Sequence, residues 1–559
     1  MRIGDGAIGG KAHGLAVARE ILETTFDEDS TGIDVNIPRL AVIGTDVFDA
    51  FIERNDLRDI ALSDQADQRI AHAFQKAALP TEIAGDLKAL MDRVRSPLAV
   101  RSSSLLEDAL FRPFAGVYET KMTPNNQPDP NERFRRLVEA VKFVWSSAFF
   151  AAPKNYIRTT DKTIADEKMA VIIQEVVGGR HGDRYYPDLS GVCRSYNFYP
   201  IARAKPHEGL VNLALGLGKT IVDGGITWSY CPARPRMPPP FASVRDQMKN
   251  TQNTFWAVNM GKPPAFDPIA EAEYLVQADL AAAEYDGTLT LVASTYDARS
   301  DRLSPSLGID GPRVINFAPL LDLQRYRLND IIRRLLAACE DAIRAPVEIE
   351  FAMTFPHRGG PDRPRLGFLQ VRPMVVSDTQ VEITADEMAG SDVLAASTRV
   401  LGNGTNDQIA DVVYVKPQPF EARHTPAIAA QLEPINTSLL QAGRPYLLIG
   451  FGRWGSSDPW LGIPVNWGHI CGARAMIEAT LPSMMVELSQ GSHFFHNLSS
   501  FEVSYFMVPH HARPGIDWNW LDQQPPLAES EFVRHVRLAQ PLLVRVDGRT
   551  GRGVIRHRS

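Results

Sequence analysis

The sequence predicts a mixed α/β protein, of the α/β or α+β class, that is divided into at least two parts. Residues 131–149 carry Phe134, Leu137 and Val141 at helical spacing between charged side chains, the pattern of an amphipathic helix. Short β-branched runs predict buried strands, and a polar stretch rich in small residues separates the two parts. The further expected helices lie at 271–285, 325–344 and 425–442, the strands at 169–177, 412–415 and 446–449, and the separating stretch at 377–407.

The composition is that of an ordinary globular protein. Of the 559 residues, 44% are hydrophobic and 22% are charged, and the formal net charge is -7. A negative net charge gives no electrostatic support for non-specific nucleic-acid binding. No apolar run approaches the roughly 18 residues that a bilayer span needs. We therefore expect a cytoplasmic protein without nucleic-acid or membrane partners.

The four cysteines agree with that expectation. Cys193, Cys231, Cys339 and Cys471 are scattered, and none has the C-x-x-C spacing of a zinc or redox site. Free thiols in a reducing compartment are the simplest interpretation.

A glycine-rich segment near the N-terminus is the first that carries phosphate chemistry. It reads Ile8-Gly9-Gly10-Lys11-Ala12-His13-Gly14. Paired glycines let the backbone approach a ligand closely, and Lys11 can meet a phosphate as a point charge. The alternative is an ordinary surface turn before a helix, and these residues alone leave it open.

A second segment delivers an arginine to the end of an apolar strand. Leu98 to Val100 precede Arg101, which is followed by Ser102 to Ser104 and later by Gly116. The guanidinium suits bidentate recognition of phosphate, and Gly116 suits a loop whose N–H groups surround phosphate oxygens. The alternative makes Arg101 a structural ion-pair partner and Gly116 an ordinary turn glycine.

The third glycine segment, Gly216 to Thr220, does not qualify as a P-loop. It ends in Gly-Lys-Thr, but position 213 is leucine, where the pattern G-x-x-x-x-G-K-[ST] requires glycine.

The proline-rich stretch 232–240 that follows is expected to be a loop, because proline removes a backbone donor and blocks regular structure.

Two neighbouring strands are expected to present carboxylates, an amide and a guanidinium together. In the run Val347 to Phe351 the apolar residues face a core, so Glu348 and Glu350 share the other face. Gln370 and Arg372 share one face of the next strand. Paired carboxylates can hold Mg²⁺ against nucleotide phosphates. The alternative, a solvent-facing strand with cross-strand ion pairs, is equally compatible with this segment.

These segments occur in the order and approximate spacing of one protein family. Over about residues 8–375 the chain resembles the ATP-binding, ATP-grasp-like domain of phosphoenolpyruvate synthase and pyruvate phosphate dikinase. The matching motifs are Gly10-Lys11, Val100 to Ser103, Glu107-Asp108, Phe114 to Thr120, Ser190 to Val192, Gly216 to Gly218, Ile349-Glu350 and Gln370 to Pro373. Each motif alone is weak, but unrelated turns and ion pairs would not fall into this order.

The resemblance implies a site for ATP and Mg²⁺. It places Lys11 and Arg101 at the ATP phosphates, Gly116 in the family's phosphate loop, Gln174 along the nucleotide cleft, Glu348 and Glu350 at the nucleotide and the metal, and Gln370 and Arg372 at the phosphate end. It further implies that catalysis consists mostly of positioning and of charge neutralisation by Lys11, Arg101, Arg372 and the metal. The sequence departs from the family at Lys219, because the synthases usually have glutamate after Gly-Leu-Gly.

The resemblance also implies how the chain is divided. We expect an ATP-grasp-like domain of two lobes followed by a separate module: a first lobe at 1–205, a second lobe at 206–376, a linker at 377–407 and a C-terminal α/β module of unknown role at 408–559. The full enzymes continue into a swivelling phosphohistidine domain and a barrel of about 250 residues. Residues 408–559 are too few for such a barrel, so we expect a divergent branch of the family.

Two segments of the C-terminal part carry further candidate chemistry. Residues 450–455 match G-x-G-x-x-G after a strand, but prolines at 459 and 464 argue against the helix that a dinucleotide site requires. A glycine loop that exposes Arg453 and Trp454 to a partner or a phosphate is favoured instead. His493 is either a core histidine packed between aromatic residues or a phosphohistidine that carries the transferred group.

Together these features predict an ATP-dependent phosphotransferase of kinase or dikinase type. It would transfer a phosphoryl group from Mg·ATP to a histidine, in this chain or in a partner protein, or to a small molecule. The alternative is a non-catalytic ATP-sensing or scaffold protein that keeps the fold. The enzyme is favoured because a scaffold needs no such set of polar residues, and turnover of ATP to AMP or ADP separates the two.

Overall fold

The computed structural model describes residues 1–26, 32–104, 118–157, 163–198, 200, 204–237, 241, 243–356, 362–374, 376, 381–456, 458–482, 498, 503–548 and 550–558. Helices and mixed sheets follow one another along these residues, which confirms the predicted α/β class. Gly116 and His493 lie outside the described residues. None of the helices in the described ranges is both long and apolar enough to cross a membrane.

Residues 1–176 form the first sheet and the helices around it. The strands are β1 (Arg2–Ile3), β2 (Asp34–Asn36), β3 (Leu40–Ile43), β4 (Leu98–Ser104), β5 (Thr120–Thr123) and β6 (Met169–Glu175). The helices are α1 (Gly9–Thr25), α2 (Thr45–Arg54), α3 (Arg58–Leu62), α4 (Asp67–Lys76), α5 (Ala84–Arg93), α6 (Pro130–Ser147) and α7 (Ala151–Ile157). The first sheet has the order β1-β3-β6-β4-β5, and β2 leaves it to join the next sheet.

Residues 177–374 form the second sheet and two smaller ones. The strands are β7 (Gly179–His181), β8 (Arg184–Tyr186), β9 (Leu189–Arg194), β10 (Leu210–Ala214), β11 (Trp228–Tyr230), β12 (Thr254–Asn259), β13 (Leu275–Asp279), β14 (Ala293–Asp297), β15 (Arg302–Ser304), β16 (Arg313–Ile315), β17 (Val347–Thr354) and β18 (Arg365–Pro373). The helices are α8 (Lys219–Val222), α9 (Val244–Lys249), α10 (Leu280–Asp286), α11 (Ala318–Leu321) and α12 (Leu328–Ile343). The second sheet has the order β11-β10-β9-β17-β18-β2, and the smaller sheets have the orders β13-β12-β8-β7 and β15-β14-β16.

Residues 381–558 are called the C-terminal module below. The strands are β19 (Val393–Ser397), β20 (Val400–Leu401), β21 (Asn403–Val415), β22 (Tyr446–Phe451), β23 (Arg453–Trp454), β24 (Gly462–Ile463), β25 (Ala473–Ala479), β26 (Ser504–Val508), β27 (Pro526–Glu529), β28 (Val533–Asp547) and β29 (Arg552–Arg556), and the helices are α13 (Ala385–Met388), α14 (Thr425–Gln441) and α15 (Trp518–Gln523). Its main sheet has the order β19-β29-β28-β21-β22-β25-β26-β20, with β27 beside β28, and β21, β22, β25 and β26 run parallel.

Local sequence signals account for the elements that were expected. In α6, Pro130 occupies the first turn and the Asp129 side chain accepts a hydrogen bond from the Asn131 backbone, so the helix begins where its capping residues place it. The expected helices at 131–149, 325–344 and 425–442 and the expected strands at 169–177, 412–415 and 446–449 are confirmed.

One expected helix, at 271–285, is wrong in its first half. Residues 275–279 form β13, which pairs antiparallel with β12, and the helix begins only after Asp279. The Asp279 side chain accepts a hydrogen bond from the Ala282 backbone and so caps α10. Pairing with a strand about 20 residues earlier decides the conformation, and helical periodicity does not report that pairing.

The expected domain limits at 205, 376 and 407 stay predictions, and sheets take strands from both sides of such a limit. The second sheet takes β2 and β9 from the expected first lobe. Residues 393–397 and 400–401, within the expected linker, form β19 and β20 of the main C-terminal sheet.

The first sheet and the C-terminal module share one hydrophobic core. A continuous cluster of buried apolar side chains runs from Ile43 and Trp145 to Leu448 and Tyr505. A second cluster lies between the second sheet, α1 and α12. Burial of apolar surface is the main favourable term in such packing, so the C-terminal module is an integral layer of this protein.

Helix α1 approaches the first sheet so closely that a glycine is needed at its start. Gly9 has φ 75°, and a Cβ there would lie 1.8 Å from the Ser103 carbonyl oxygen. The Ser103 hydroxyl accepts a hydrogen bond from the Ala12 backbone at 3.1 Å and donates one to the Ile8 carbonyl at 2.7 Å. The serines after Arg101 therefore hold the beginning of the helix against β4.

We expect Gly9→Ala to lower the free energy of unfolding by about 1–3 kcal/mol or more, because alanine is strained at this φ and meets the Ser103 carbonyl. Gly85→Ala is the matched control, since no atom lies within 4 Å of a Cβ there, and a small gain of about 0.5–1 kcal/mol is expected in α5. Urea unfolding measures both. Equal stability of Gly9→Ala and the parent would contradict the close approach.

Candidate functional site

A cavity of about 480 Å³ lies between the first and second sheets. Arg101 and Gln174 line it from the first sheet, and Glu350 and Gln370 line it from the second. A volume of this size falls within the range of about 300–1,000 Å³ that is usual for small-molecule sites. The structure thus brings residues from β4, β6, β17 and β18 to one cleft.

Arg101 connects the two sheets across this cleft. Its Nη2 donates to Gln370 Oε1 at 2.6 Å and to Glu350 Oε2 at 3.1 Å, and its Nη1 donates to the Leu369 carbonyl oxygen at 3.2 Å. The side chains of Arg101 and Glu350 are 15% and 13% exposed, so this ion pair is partly shielded from water. A guanidinium, a carboxylate and an amide oxygen therefore meet at one point of the cleft.

Lys11 reaches the same cleft from α1. Its Nζ donates to the Ser102 hydroxyl at 3.0 Å, next to Arg101 in β4. Helix α1 also packs on the second sheet, because a Cβ at Gly14 would lie 2.7 Å from the Val371 carbonyl oxygen. The early glycines thus let one helix contact both sheets and place an ammonium group between them.

Glu348 lies between two arginines. It makes cross-strand ion pairs, as the alternative to a metal site in the sequence analysis expected. Arg194 and Arg372 stand directly opposite it on β9 and β18. Arg194 Nε donates to Oε2 at 2.5 Å and Arg372 Nε donates to Oε1 at 2.8 Å. The residues are between 2% and 5% exposed. Arg194 Nη1 continues this polar row across the sheet to Asn212 Oδ1.

The donor set fits a magnesium–nucleotide complex at Glu350 and Gln370 better than at Glu348. No group of three or more His, Cys, Asp or Glu side chains is placed to hold a metal in the described ranges. Mg²⁺ at a nucleotide needs only one or two carboxylates besides phosphate oxygens and water. The Glu350 carboxylate and the Gln370 amide oxygen line the cleft, whereas both oxygens of Glu348 accept bonds from guanidinium groups.

Gln174 lies at the apolar end of the cleft. It is 2% exposed and pairs in register with Ala99 on the neighbouring strand. Ala99, Val176 and Leu217 form an apolar cluster there, with Met122 packed against it. The Gln174 Nε2 has no hydrogen-bond partner among the described residues. A buried donor without a partner costs about 1–3 kcal/mol, so a ligand that accepts this bond would remove the cost.

The structure adds Glu119 to the residues singled out from the sequence. Burial raises the pKa of its carboxyl to about 8, and the negative charge of Glu271 adds to the rise, while Lys219 opposes it. Glu119 belongs to the family motif Phe114 to Thr120, so the sequence could have indicated it as a site residue. The spacing of the motif alone did not reveal which groups surround its carboxyl.

Lys219, the departure from the synthases, is accommodated by carboxylates. Its Nζ lies 3.2 Å from Asp223 and 3.3 Å from Glu271, and all three residues line the cleft. It begins the four-residue helix α8, so the segment 216–220 does not form the long phosphate-binding turn of a P-loop.

The glycine loop of the C-terminal module differs from the expectation in one residue. Arg453 is partly exposed and its Nη1 donates to the carbonyl oxygens of Gly224 at 2.9 Å and Gly225 at 3.3 Å. Trp454, which was expected to be exposed, is 2% exposed. Its ring fills the space beside Gly450, where a Cβ would lie 2.4 Å from Trp454 Cζ2.

The family model for the pyruvate phosphate dikinase AMP/ATP-binding domain matches residues 6–391. The chain belongs to this family. The match covers the second sheet, the first sheet except β1, and all of the described cleft residues that the sequence singled out. It confirms the family that the ordered motifs indicated, and it supports ATP as the ligand of this domain.

A curated relative from Bacillus subtilis (strain 168) carries the description uncharacterized phosphotransferase YvkC. It is 27% identical over 191 residues, which are 34% of this chain and 20% of that protein. The aligned part of the chain thus spans about one fifth of that relative's length. This chain therefore shares part of its sequence with a protein that is described as a phosphotransferase.

We expect Glu348→Gln to destabilise the protein by about 3–5 kcal/mol, because two buried guanidinium groups would lose their shared counter-charge. Glu421→Gln is the control, since the Glu421–Arg423 pair is exposed and such pairs contribute about 0–1 kcal/mol. Chemical denaturation of both variants measures the difference. A loss no larger in Glu348→Gln than in the control would mean that the buried row carries no net stabilisation.

Proposed function

We propose that the chain binds Mg·ATP in the cleft between the first and second sheets and transfers a phosphoryl group from it to an acceptor. The observation that carries this proposal is the meeting of Arg101, Glu350 and Gln370 at one point of a cleft in a family of AMP/ATP-binding domains. The described phosphotransferase among its relatives supports the type of reaction.

The cationic groups of the cleft would bind and orient the phosphates. Lys11 and Arg101 both line the cleft, and a guanidinium donates to phosphate oxygens as it does here to Glu350 and Gln370. Phosphoryl transfer needs little covalent chemistry from the protein, so positioning and charge neutralisation supply most of the catalysis.

Glu350 and Gln370 are the residues that would hold Mg²⁺. When bound, the ion neutralises charge on the nucleotide phosphates. Both side chains bond Arg101, so phosphate binding by Arg101 would release their oxygens for the metal. Arg372 lines the cleft and is oriented by Glu348, so it would contact the phosphate end while it also joins β18 to β17.

Two kinds of acceptor remain within this proposal. His493 is the histidine of this chain that the sequence favours, and it stays a prediction because it lies outside the described residues. A small molecule or a histidine of a partner protein would serve the same reaction. Whether the chain releases ADP or AMP distinguishes a kinase from a dikinase.

We expect Arg101→Ala to weaken ATP binding by about 10- to 100-fold, because removal of a charge-assisted hydrogen bond costs about 1.5–3 kcal/mol. Arg299→Ala is the matched control, since that side chain is 91% exposed and does not line the cleft. Calorimetry with Mg·ATP measures both affinities, and thermal melting shows whether each variant is folded. Unchanged affinity in folded Arg101→Ala would refute this phosphate site.

We expect Glu350→Gln to raise the Mg²⁺ concentration that ATP binding requires, because the amide keeps the shape of the carboxylate and removes its charge. Glu53→Gln, an exposed position on α2 outside the cleft, is the control. ATP affinity is measured at several Mg²⁺ concentrations. If Glu350→Gln follows the same Mg²⁺ dependence as the parent, the Glu350 carboxylate is structural only.

A further inference from the structure

An arginine of the C-terminal module reaches a turn beside the nucleotide cleft. Arg453 Nη1 donates to the backbone carbonyl oxygens of Gly224 at 2.9 Å and Gly225 at 3.3 Å. The module's backbone also passes this turn closely, since a Cβ on Gly224 would lie 3.8 Å from Ser456 Cα. The family match ends at residue 391, so these contacts come from outside the AMP/ATP-binding domain that the family shares.

The turn is bonded back to the short helix α8. The Gly225 backbone donates to the Thr220 carbonyl oxygen at 2.8 Å, and the Gly224 backbone donates to the Ile221 carbonyl oxygen at 3.2 Å. A helix of four residues is not stable by itself, because too few hydrogen bonds offset the cost of its nucleation. Its position therefore depends on contacts with the rest of the protein, and Arg453 supplies two of them through the turn.

Helix α8 carries a lysine that lines the cleft. Lys219 Nζ lies 3.2 Å from a carboxylate oxygen of Asp223 and 3.3 Å from one of Glu271. Burial lowers the pKa of the ammonium, but the charges of Glu271 and Asp223 outweigh burial and hold the pKa above its usual value. Lys219 therefore keeps a positive charge in the cleft.

That positive charge stands among carboxyl groups. Asp223, Glu271 and Glu119 line the same cleft. Burial and the charge of Glu271 raise the pKa of Glu119, whereas Lys219 lowers it, so the ammonium acts on this carboxyl as well. Charges interact over several ångströms in a partly buried cleft, because the effective dielectric constant is below that of water. Without the ammonium, these carboxylates would repel the phosphates of a nucleotide.

We propose that Arg453 is a positioning residue for the nucleotide cleft, which holds α8 so that the Lys219 ammonium offsets carboxylates that would otherwise repel Mg·ATP. The inference rests on the proposed function, which places the phosphates of ATP in this cleft. Arg453 does not itself line the cleft, so it acts through the turn 224–225 and Lys219. The C-terminal module thereby sets the affinity of a site that lies in the family's shared domain.

Two methionine variants of the full chain test the two ends of this connection. Methionine keeps an apolar stem at each position and removes the charge and the donors. We expect Lys219→Met to weaken Mg·ATP binding by about tenfold and Arg453→Met to weaken it by about three- to tenfold, as measured by calorimetry. Binding of adenosine should change by less than about twofold in both variants, because an uncharged ligand is not repelled.

A double variant tests whether Arg453 acts through Lys219. Once Lys219→Met has removed the ammonium, Arg453→Met is expected to weaken Mg·ATP binding further by less than about twofold, since the charge that Arg453 positions is gone. Fully additive losses, or equal losses for Mg·ATP and adenosine, would overturn the proposal, because Arg453 would then act on the protein as a whole. Unchanged Mg·ATP affinity in folded Arg453→Met would overturn it as well.

Arg423→Met is the matched control and should bind Mg·ATP like the parent. Arg423 belongs to the same module, its side chain is 70% exposed, and it does not line the cleft. Arg453→Lys keeps a cationic donor and is expected to retain most of the parent affinity. Thermal melting shows which variants are folded, and Arg453→Gln takes the place of Arg453→Met in the same cycle if the methionine variant does not fold.

The parent chain separates this proposal from the function on which it rests. If the parent does not bind Mg·ATP, the proposed function fails and the inference fails with it. If the parent binds Mg·ATP and the folded Arg453 variants bind it equally well, only the positioning role of Arg453 fails.

Discussion

Arg101 joins the two sheets that enclose the cleft. Arg101 projects from the first sheet and donates to the Glu350 carboxylate, the Gln370 amide oxygen and the Leu369 carbonyl oxygen of the second sheet. The first sheet contributes Val42 and Ile172 to the apolar cluster of the second sheet, so apolar packing and the Arg101 bonds together set the alignment of the two sheets. The directional, charge-assisted contact of Arg101 brings the Glu350 carboxylate and the Gln370 amide oxygen to one point of the cleft.

A buried row of charges supports that contact from the second sheet. Glu348 is shared by Arg194 and Arg372, and its complete pairing allows three ionised groups to remain in an almost dry environment. Glu350 lies two residues further along the same face of β17 and lacks such a pair of arginines across the strands, since Val192 and Gln370 stand opposite it. One glutamate is thus committed to the sheet, and the other can serve a ligand.

The C-terminal module contacts both sheets and the cleft. Strands β19 and β20 already belong to its sheet, and its buried residues join the core of the first sheet. Arg453 and Trp467 then bring the module to the second-sheet side and to the cleft itself. A domain that must swivel between two sites needs weak contacts with its neighbours, whereas this module is packed like an interior layer.

The sequence by itself determined the class of the fold, the family and several of the residues that line the cleft, because these depend on local or ordered patterns. Strand alternation placed Glu348 and Glu350 on one face, and the paired glycines with Lys11 marked the start of a helix. Only the tertiary structure decided that Glu348 is paired with Arg194, that the charges of Glu271 and Lys219 act on Glu119, and that Trp467 lines the cleft. Arg194 lies 154 residues from Glu348 along the chain, and pairing over such distances leaves no periodicity in the sequence.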